Sequence, residues 1–593
     1  MQIKQSIWQL LGRLWHHISP RRRIQFGLLF ALMLLTSIAE IVSIGAILPF
    51  LSFLTLPEQF FKLPFAQLLV NFLNVKDTAQ LLLPLAFIFI GAILLAGAMR
   101  LTLLWFSTRL TFATGKDLST NIYRRTLYQS YEVHCARNSG EIINDILSKS
   151  NAVIYSIIMP VLTIMSSSLM LTIVIMALLA LNPIIAMSVF GGLGIIYVGI
   201  IYLTRKQLLI YGERIAKESN QIIKSLHEGL GGIRDVLIDG SQDTYCQIYQ
   251  DSDASLRRDQ GNSMFISQSP RYAIEALSMI LIIAVAYSLA YKAEGVNNVV
   301  PILGALALCA QRLLPVLQQA YTSWTSIRIN QAPLKDTLDL LDQPLPNYIS
   351  QSATQQLPFN RSISLEQVDF CYNQETSIVL KQINLNIDKG SRVGIIGTTG
   401  SGKSTLLDII MALLKPTKGV LLIDDVIVTS ENYRSWQAKI AHVPQTIFLA
   451  DSTIENNIAF GVPKDQIDHK RVREAAQQAQ ILQSIQNWPD KFQTKVGERG
   501  IRLSGGQRQR IGIARALYKQ ANVIIFDEAT SALDNETEQD IMQAIEGLSK
   551  DLTILIVAHR LTTIKNCTQI IELHEGAIKK IGNYEQVVNS RNH

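Results

Sequence analysis

Six stretches of this chain are apolar over about 20 residues or more, the length needed to cross roughly 30 Å of hydrocarbon, and all six precede Asn330. They run Phe26–Phe53, Leu81–Phe106, Val153–Leu181, Ile184–Leu203, Ala273–Tyr291 and Val299–Ala320. Each is expected to be a membrane-spanning α-helix. Lys4, Arg13, Arg21, Arg22 and Arg23 precede the first span with no acidic residue among them. That bias puts the N-terminus on the cytoplasmic side. The first apolar run is too long, and lacks the small-residue cleavage site, for a secretory signal peptide. Composition agrees: charged residues make up 17% of the 593, against a usual ~25% for soluble domains. A hydrophobic share of 48% excludes disorder. The five cysteines (Cys135, Cys246, Cys309, Cys371, Cys567) are scattered, with neither disulfide-scaffold nor zinc spacing. The net charge of +7 is what basic cytoplasmic loops produce, so no nucleic-acid partner is expected.

The loops between spans are very unequal. Leu181–Pro183 and Lys292–Asn298 are short, whereas Ser107–Asn151 and Thr204–Pro270 are long, charged and helix-favouring. An even number of crossings puts both long segments in the cytoplasm, as helices that continue past the bilayer and bend at their far ends. Ile7–His17 mixes apolar and basic residues at helical spacing and is expected to lie at the membrane surface. Leu56–Thr78 is amphipathic but too short to span, and reads equally as an outer surface helix or an ordered loop. The expected domains are a six-helix transmembrane domain over 1–330, a linker over 331–362 marked by Pro344, Pro346 and Pro358, and an α/β domain with a largely parallel sheet over 363–593.

Chemistry enters in the last domain. Gly397, Gly402, Lys403 and Ser404 satisfy G-x-x-x-x-G-K-[ST] after the strand-like run Arg392–Ile396. Such a loop, here Gly397 through Thr398, Thr399, Gly400 and Ser401 to Thr405, turns its amides toward phosphates at a helix N-terminus. Lys403 supplies a point charge to the β- and γ-phosphates, and the Ser404 hydroxyl suits Mg²⁺. Val523–Phe526 is an apolar run ending in Asp527 and Glu528, placing one acid to hold Mg²⁺ and the next to orient or deprotonate water. LSGGQ, Leu503–Gln507, precedes a helix expected to begin near Arg508. Ser504, Gly505, Gly506 and Gln507 are expected to form a second phosphate-binding terminus. One nucleotide accounts for one such cradle; the second needs another explanation.

Phosphate loop, LSGGQ and the acid pair, in this order, resemble the nucleotide-binding domain of ATP-binding cassette transporters. The resemblance implies ATP and Mg²⁺ as cofactors. It implies an adenine-stacking role for Tyr372, and a magnesium- and water-sensing role for Gln445. It implies a loop joining two sites across a dimer at Ser531–Asp534, with Asp534 at the nucleotide, and a switch role for His559. Thr494–Gly500 resembles the exporter segment that meets the membrane domain, and the bends Tyr131–Gly140 and Leu230–Asp239 resemble coupling helices. Six spans ahead of one cassette resemble a half-exporter, in which LSGGQ of one subunit closes on the phosphate loop of another. Because no motif is degenerate, a homodimer is expected in a bacterial cytoplasmic membrane, with N-terminus and cassette in the cytoplasm.

Ionisable residues within spans are candidates for the cargo site, because burying charge in lipid is costly. They are Glu40, Arg100, Arg271 and Arg312; Arg109, and Arg271 close to Glu275, read equally as residues that pair with one another or reach the interface. AEIVSIGAILPF, PRYAIEA and QRLLP are similar to lipid-linked oligosaccharide flippases of bacterial protein glycosylation. That similarity implies an amphipathic, pyrophosphate-bearing glycolipid cargo. An exporter of other lipids, drugs or peptides, and a nucleotide-gated channel or regulator, are the competing expectations.

Overall fold

The structure, a computed structural model, describes residues 6–45, 82–181, 183–292, 299–346, 357–372, 377–528, 538–539, 551–558 and 560–588. For a minority of helical positions, Arg312 and 301–310 among them, it describes the backbone alone. Its chain forms two compact units, Met1–Gln129 with Arg137–Pro344, and Ser130–Ala136 with Leu345–His593.

The first unit is all helix. All six apolar stretches fall in helices where they are described: Pro20–Gly45, Leu82–Leu127, a helical run ending in Met159–Leu181, Pro183–Gly231, Gln242–Lys292 and Val299–Ile329. Positions 46–53 of the first stretch, and the whole segment Leu56–Thr78, lie outside the described residues. Helices of 46, 49 and 51 residues are about 70 Å long at 1.5 Å per residue, more than twice the hydrocarbon thickness. They therefore continue well past a bilayer, and the short helix Ile233–Ile238 marks one expected bend; the other, Tyr131–Cys135, groups with the second unit. Among the described residues, three helices are long and apolar enough to span: Pro20–Ser43, Leu83–Leu127 and Gly140–Met176. The apolar window of the second is only 6% buried, with Leu83, Phe87, Leu94 and Leu101 exposed. A surface that apolar needs lipid or another helix to cover it.

Pro270 sits inside Gln242–Lys292 without breaking it. Proline lacks an N–H and so frees the carbonyl four residues back, that of Ile266. The Tyr321 hydroxyl, from Val299–Ile329, donates to that carbonyl at 3.2 Å. Gln318 Nε2 donates to the carbonyl of Ser267 at 3.0 Å. Neighbouring-helix donors thus replace what the ring removed, as a water-free environment requires. Tyr321 is 2% exposed, its ring beside Trp324 and Tyr197.

The stretch 331–362, expected as linker, is narrower than that. Gln331–Leu341 is a helix of the first unit, with Leu334, Leu338 and Leu341 buried at i, i+4 and i+7 against Leu10 and Leu14 of Ile7–His17. Arg13 clasps it through Asp339 at 2.8 Å and Asp342 at 2.5 Å, and Lys149 through Asp336 at 2.7 Å. At the other end Leu357 and Phe359 already belong to the core of the second unit. Pro344 and Pro346 lie between these two anchors while Pro358 falls within the second, and the helical period before them is what the punctuation hid.

The second unit has two sheets. β1 (Ser362–Phe370), β2 (Leu380–Asp388), β4 (Lys418–Ile423) and β5 (Val426–Ile427) pair antiparallel in the order β2-β1-β4-β5. β3 (Arg392–Gly397), β6 (Ile440–Val443), β7 (Val523–Asp527), β8 (Thr553–Val557), β9 (Gln569–His574) and β10 (Ala577–Gly582) form the second in the order β10-β9-β3-β8-β7-β6. This sheet is parallel except at β10. β7 and β8 are apolar and buried along nearly their whole length, as strands covered on both faces must be. Trp436 is fully buried between the layers, its Nε1 donating to the carbonyl of Ile410 at 2.7 Å.

Candidate nucleotide site and membrane cavity

Ligands in an open parallel sheet bind beyond the carboxyl ends of its strands. Val557 of β8 is in register with both Ile395 of β3 and Asp527 of β7. The glycine loop after β3 and the acid pair after β7 therefore emerge at one edge. From Gly397 the chain turns through Thr398, Thr399, Gly400, Ser401 and Gly402 into the helix Lys403–Ile410. Gly400 and Gly402 have φ of +82° and +96°, where a side chain is strained. A Cβ on Gly397 would stand 2.5 Å from the Leu573 carbonyl and from Ser401 Oγ. The first helical bond runs from the Leu406 amide to the Gly402 carbonyl, leaving the amides of Lys403, Ser404 and Thr405 outside the ladder, where they suit an anion. Lys403 is buried, and its Nζ donates to the carbonyls of Gly397 and Thr398, both at 3.0 Å. Tyr372 is half-exposed, edge-on to Phe370, with its hydroxyl 3.2 Å from Thr405 Oγ1.

On the acidic side, β6 and β7 lie side by side, Val443 opposite Phe526. Just beyond their ends Gln445 Nε2 donates to Glu528 Oε2 at 2.6 Å. Glu528 has φ of +50°, a conformation costing a side chain about 1–3 kcal/mol, and its amide donates to the Val557 carbonyl at 3.1 Å. Burial, then the Glu528 charge, raises the Asp527 carboxyl, with Lys403 opposing. Burial, then Asp527, pushes Asp408 up to about 6. Three carboxylates thus share one neighbourhood with the ammonium of Lys403. That excess of negative charge fits a divalent cation, which Asp527, Ser404 and Gln445 would hold and which, when bound, neutralises phosphoryl charge. Asp408 was not among the expected residues. Its one signal in the sequence was an acid five positions after Lys403, between the apolar pairs Leu406–Leu407 and Ile409–Ile410.

LSGGQ opens its helix three residues earlier than expected, at Gly505 rather than Arg508. The cause is a capping box: Ser504 Oγ accepts from the Gln507 amide at 3.3 Å, while Gln507 Oε1 accepts from the Ser504 amide at 3.0 Å. Ser504 and Gln507 therefore hold the terminus open, and the amides of Gly505 and Gly506 remain for an anion.

The first unit holds a cavity of about 870 Å³ between Pro20–Gly45, Leu82–Leu127, Met159–Leu181 and Val299–Ile329. Glu40, 2% exposed, forms an ion pair there with Arg100. Thr36, Ser37 and Thr163 line the same space and donate their hydroxyls to the carbonyls of Leu32, Met33 and Met159. Ser166, Ser167, Gln311 and Gln319 line it as well, so the wall offers both acceptors and amide donors. Arg271 is exposed on Gln242–Lys292 and is not among the residues lining this cavity.

Family models match both units. A model described as ABC transporter matches residues 380–531, and one described as ABC transporter transmembrane region matches residues 27–311. The chain belongs to the ABC transporters. Among curated proteins, this ABC transporter chain is 36% identical over 280 residues to the heterocyst differentiation ATP-binding protein HepA of Nostoc sp., covering 47% of the chain and 46% of HepA. It is 41% identical over 236 residues to the ATP-dependent lipid A-core flippase of Desulfotalea psychrophila, covering 40% and 41%. The chain thus spans less than half the length of these relatives. Its fold is that of a bacterial Atm1-family ABC exporter solved with ATP bound, with a TM-score of 0.78 over 96% of each chain at 23% identity. That likeness establishes the exporter-type membrane domain fused to the nucleotide-binding domain. Of the ABC motif residues expected from sequence, Asp534 and His559 lie outside the described residues, as does the side chain of Arg312.

Proposed function

We propose that this ABC transporter chain hydrolyses ATP to move an amphipathic cargo, a lipid-linked oligosaccharide, outward across a bacterial cytoplasmic membrane. The observation that carries the ATPase reading is the convergence of the glycine loop and Lys403 with Asp527 and the hydrogen-bonded pair Gln445–Glu528 at one sheet edge. In this reading the loop amides and Lys403 hold the phosphates, and Tyr372 packs on the base. Glu528 takes the proton of the attacking water, with Gln445 orienting both. His559 and Asp534 complete the site by family resemblance.

One cassette carries both a phosphate loop and LSGGQ, so two copies bind two nucleotides head to tail and the working unit is a homodimer. Lipid cargo is supported by the similarity to ATP-dependent lipid A-core flippases and by the cavity. Its hydroxyl wall offers acceptors to a donor-rich glycan, and Arg100 suits a phosphoryl group, with Arg271 and Arg312 serving the same cargo elsewhere on its path. The test is ATPase activity of the purified protein in lipid vesicles, with and without polyprenyl-pyrophosphate-linked glycans. Stimulation by the glycolipid is expected. Stimulation by drugs or peptides instead discards the cargo and keeps the exporter; turnover that no cargo alters favours a channel or regulator.

A further inference from the structure

The membrane cavity contains an acid that the transport of an anion does not call for. An anionic headgroup needs Arg100, yet Arg100 is already taken by Glu40, whose carboxylate is almost wholly buried. Both residues line the same cavity, on different helices, Pro20–Gly45 and Leu82–Leu127. A guanidinium left alone at membrane depth would be costly, and so would a carboxylate. The pair resolves both costs while no cargo is bound. It also means that the cavity holds no net charge from this pair for an incoming ligand to read. Glu40 engages the Nε edge of Arg100, whose side chain is half exposed, so an anion can touch the outer nitrogens but gains the whole guanidinium charge only by displacing Glu40.

We infer that Glu40 is a resident counter-ion that competes with the cargo for Arg100, and so sets which anions the cavity accepts and how readily it lets them go. This rests on the reading of the cavity as a cargo site. The competition is unequal by chemistry. A diphosphate or phosphate presents more charge and more oxygens to the guanidinium fork than a carboxylate does, and displaces Glu40. An amphiphile headed by a carboxylate offers Arg100 nothing that Glu40 does not already offer from a tethered position, and is excluded. Release follows the same route in reverse: Glu40, held on its own helix beside Arg100, returns to the guanidinium as the headgroup leaves. The surrounding wall does not duplicate this function. The hydroxyls of Thr36, Ser37 and Thr163 donate to their own helices, so they cannot supply the positive potential that Arg100 does.

The test is a double-mutant cycle on the full-length protein in nanodiscs. Binding would be measured for farnesyl diphosphate as the membrane-borne probe, inorganic pyrophosphate as the soluble one, and palmitate as the carboxylate. Glu40→Gln keeps shape and removes charge, and is expected to bind farnesyl diphosphate about tenfold tighter than the parent. The same change should admit palmitate, narrowing the preference for phosphoryl over carboxylate. Arg100→Gln should lose the diphosphate, and Glu40→Gln added to Arg100→Gln should restore nothing, because the gain acts through the arginine. Glu40→Asp, which withdraws the carboxylate without removing it, should fall between parent and Glu40→Gln, and guards against a Gln variant that folds poorly. A gain for the lipid probe alone assigns the ligand to the membrane; a gain for pyrophosphate as well assigns it to the phosphoryl group whatever its carrier. If the parent binds the diphosphate and Arg100→Gln loses it, but Glu40→Gln gains nothing, the counter-ion role is wrong and the cargo site stands. If neither the parent nor Glu40→Gln binds the diphosphate, both fall together.

Discussion

The two units of this chain spend their polar atoms differently. In the cassette, buried strands such as β7 and β8 and the layer around Trp436 supply an ordinary hydrophobic core, and polar groups gather at one sheet edge for chemistry. In the membrane unit, apolar side chains such as Leu94 and Leu101 point outward, and burying them against lipid does little to choose one packing over another. Selection there falls to a few polar contacts: Tyr321 on the carbonyl freed by Pro270 and Gln318 on the next one, Glu40 on Arg100, and Lys149 between Asp145 and Asp336. The lesson is that deleting methyl groups should hurt one half and deleting single hydrogen bonds the other.

The largest expected effect lies in the chemistry. Glu528→Gln should lower steady-state ATP turnover by about 10²–10⁴-fold while nucleotide stays bound, measured on the purified protein; sustained turnover would remove Glu528 as general base. Next comes the core contrast. Trp436→Ala should cost the cassette about 3–5 kcal/mol, whereas Leu94→Ala in the lipid-facing helix should stay within about 0.5 kcal/mol, both read by thermal unfolding in detergent. Equal losses would erase the distinction drawn between the units.

Tyr321→Phe tests the other half of it. Losing one hydroxyl leaves the Ile266 carbonyl short of a donor and should cost about 1–3 kcal/mol. Pro270→Ala restores the missing N–H, so the same Tyr321→Phe change made in that background should cost clearly less. Additive losses would show that the hydroxyl does not serve the proline.

The smallest effect is electrostatic. Asp408 is pushed up to about 6, so the folded cassette holds a proton there that the unfolded chain, at about 4, has already released. A raised acid favours folding at low pH, and that contribution disappears as pH rises through about 6. Asp408→Asn should therefore stabilise the cassette by roughly 1 kcal/mol at pH 7.5, after allowing for partial exposure, and flatten the dependence between about pH 4 and 6. Unchanged melting across that range would show that Asp408 is solvated and uncoupled from Asp527.

Much of this was legible in the residues. Long apolar runs, the glycine loop and LSGGQ are local patterns, and each works through backbone geometry that nearby residues dictate: helix length from hydrophobic length, left-handed turns at Gly400 and Gly402, a capping box at Ser504 and Gln507. The helix Gln331–Leu341 was missed because its period is short and lies next to proline punctuation. Asp408 was missed because its shift comes from burial in the folded cassette and then from Asp527, more than a hundred residues away. The link between Tyr321 and Pro270 was missed because Tyr321 looks like one more aromatic in an apolar run.

The amino-acid sequence alone determined which segments enter lipid, which bind phosphate and the order in which they occur, because hydrocarbon thickness and phosphate geometry act on contiguous residues. Only the tertiary structure decided which charges meet. That Glu40 faces Arg100, that Gln445 reaches Glu528, and that the proline's carbonyl finds a tyrosine depend on distances between separate elements, and Coulomb and hydrogen-bond energies fall away within a few ångströms.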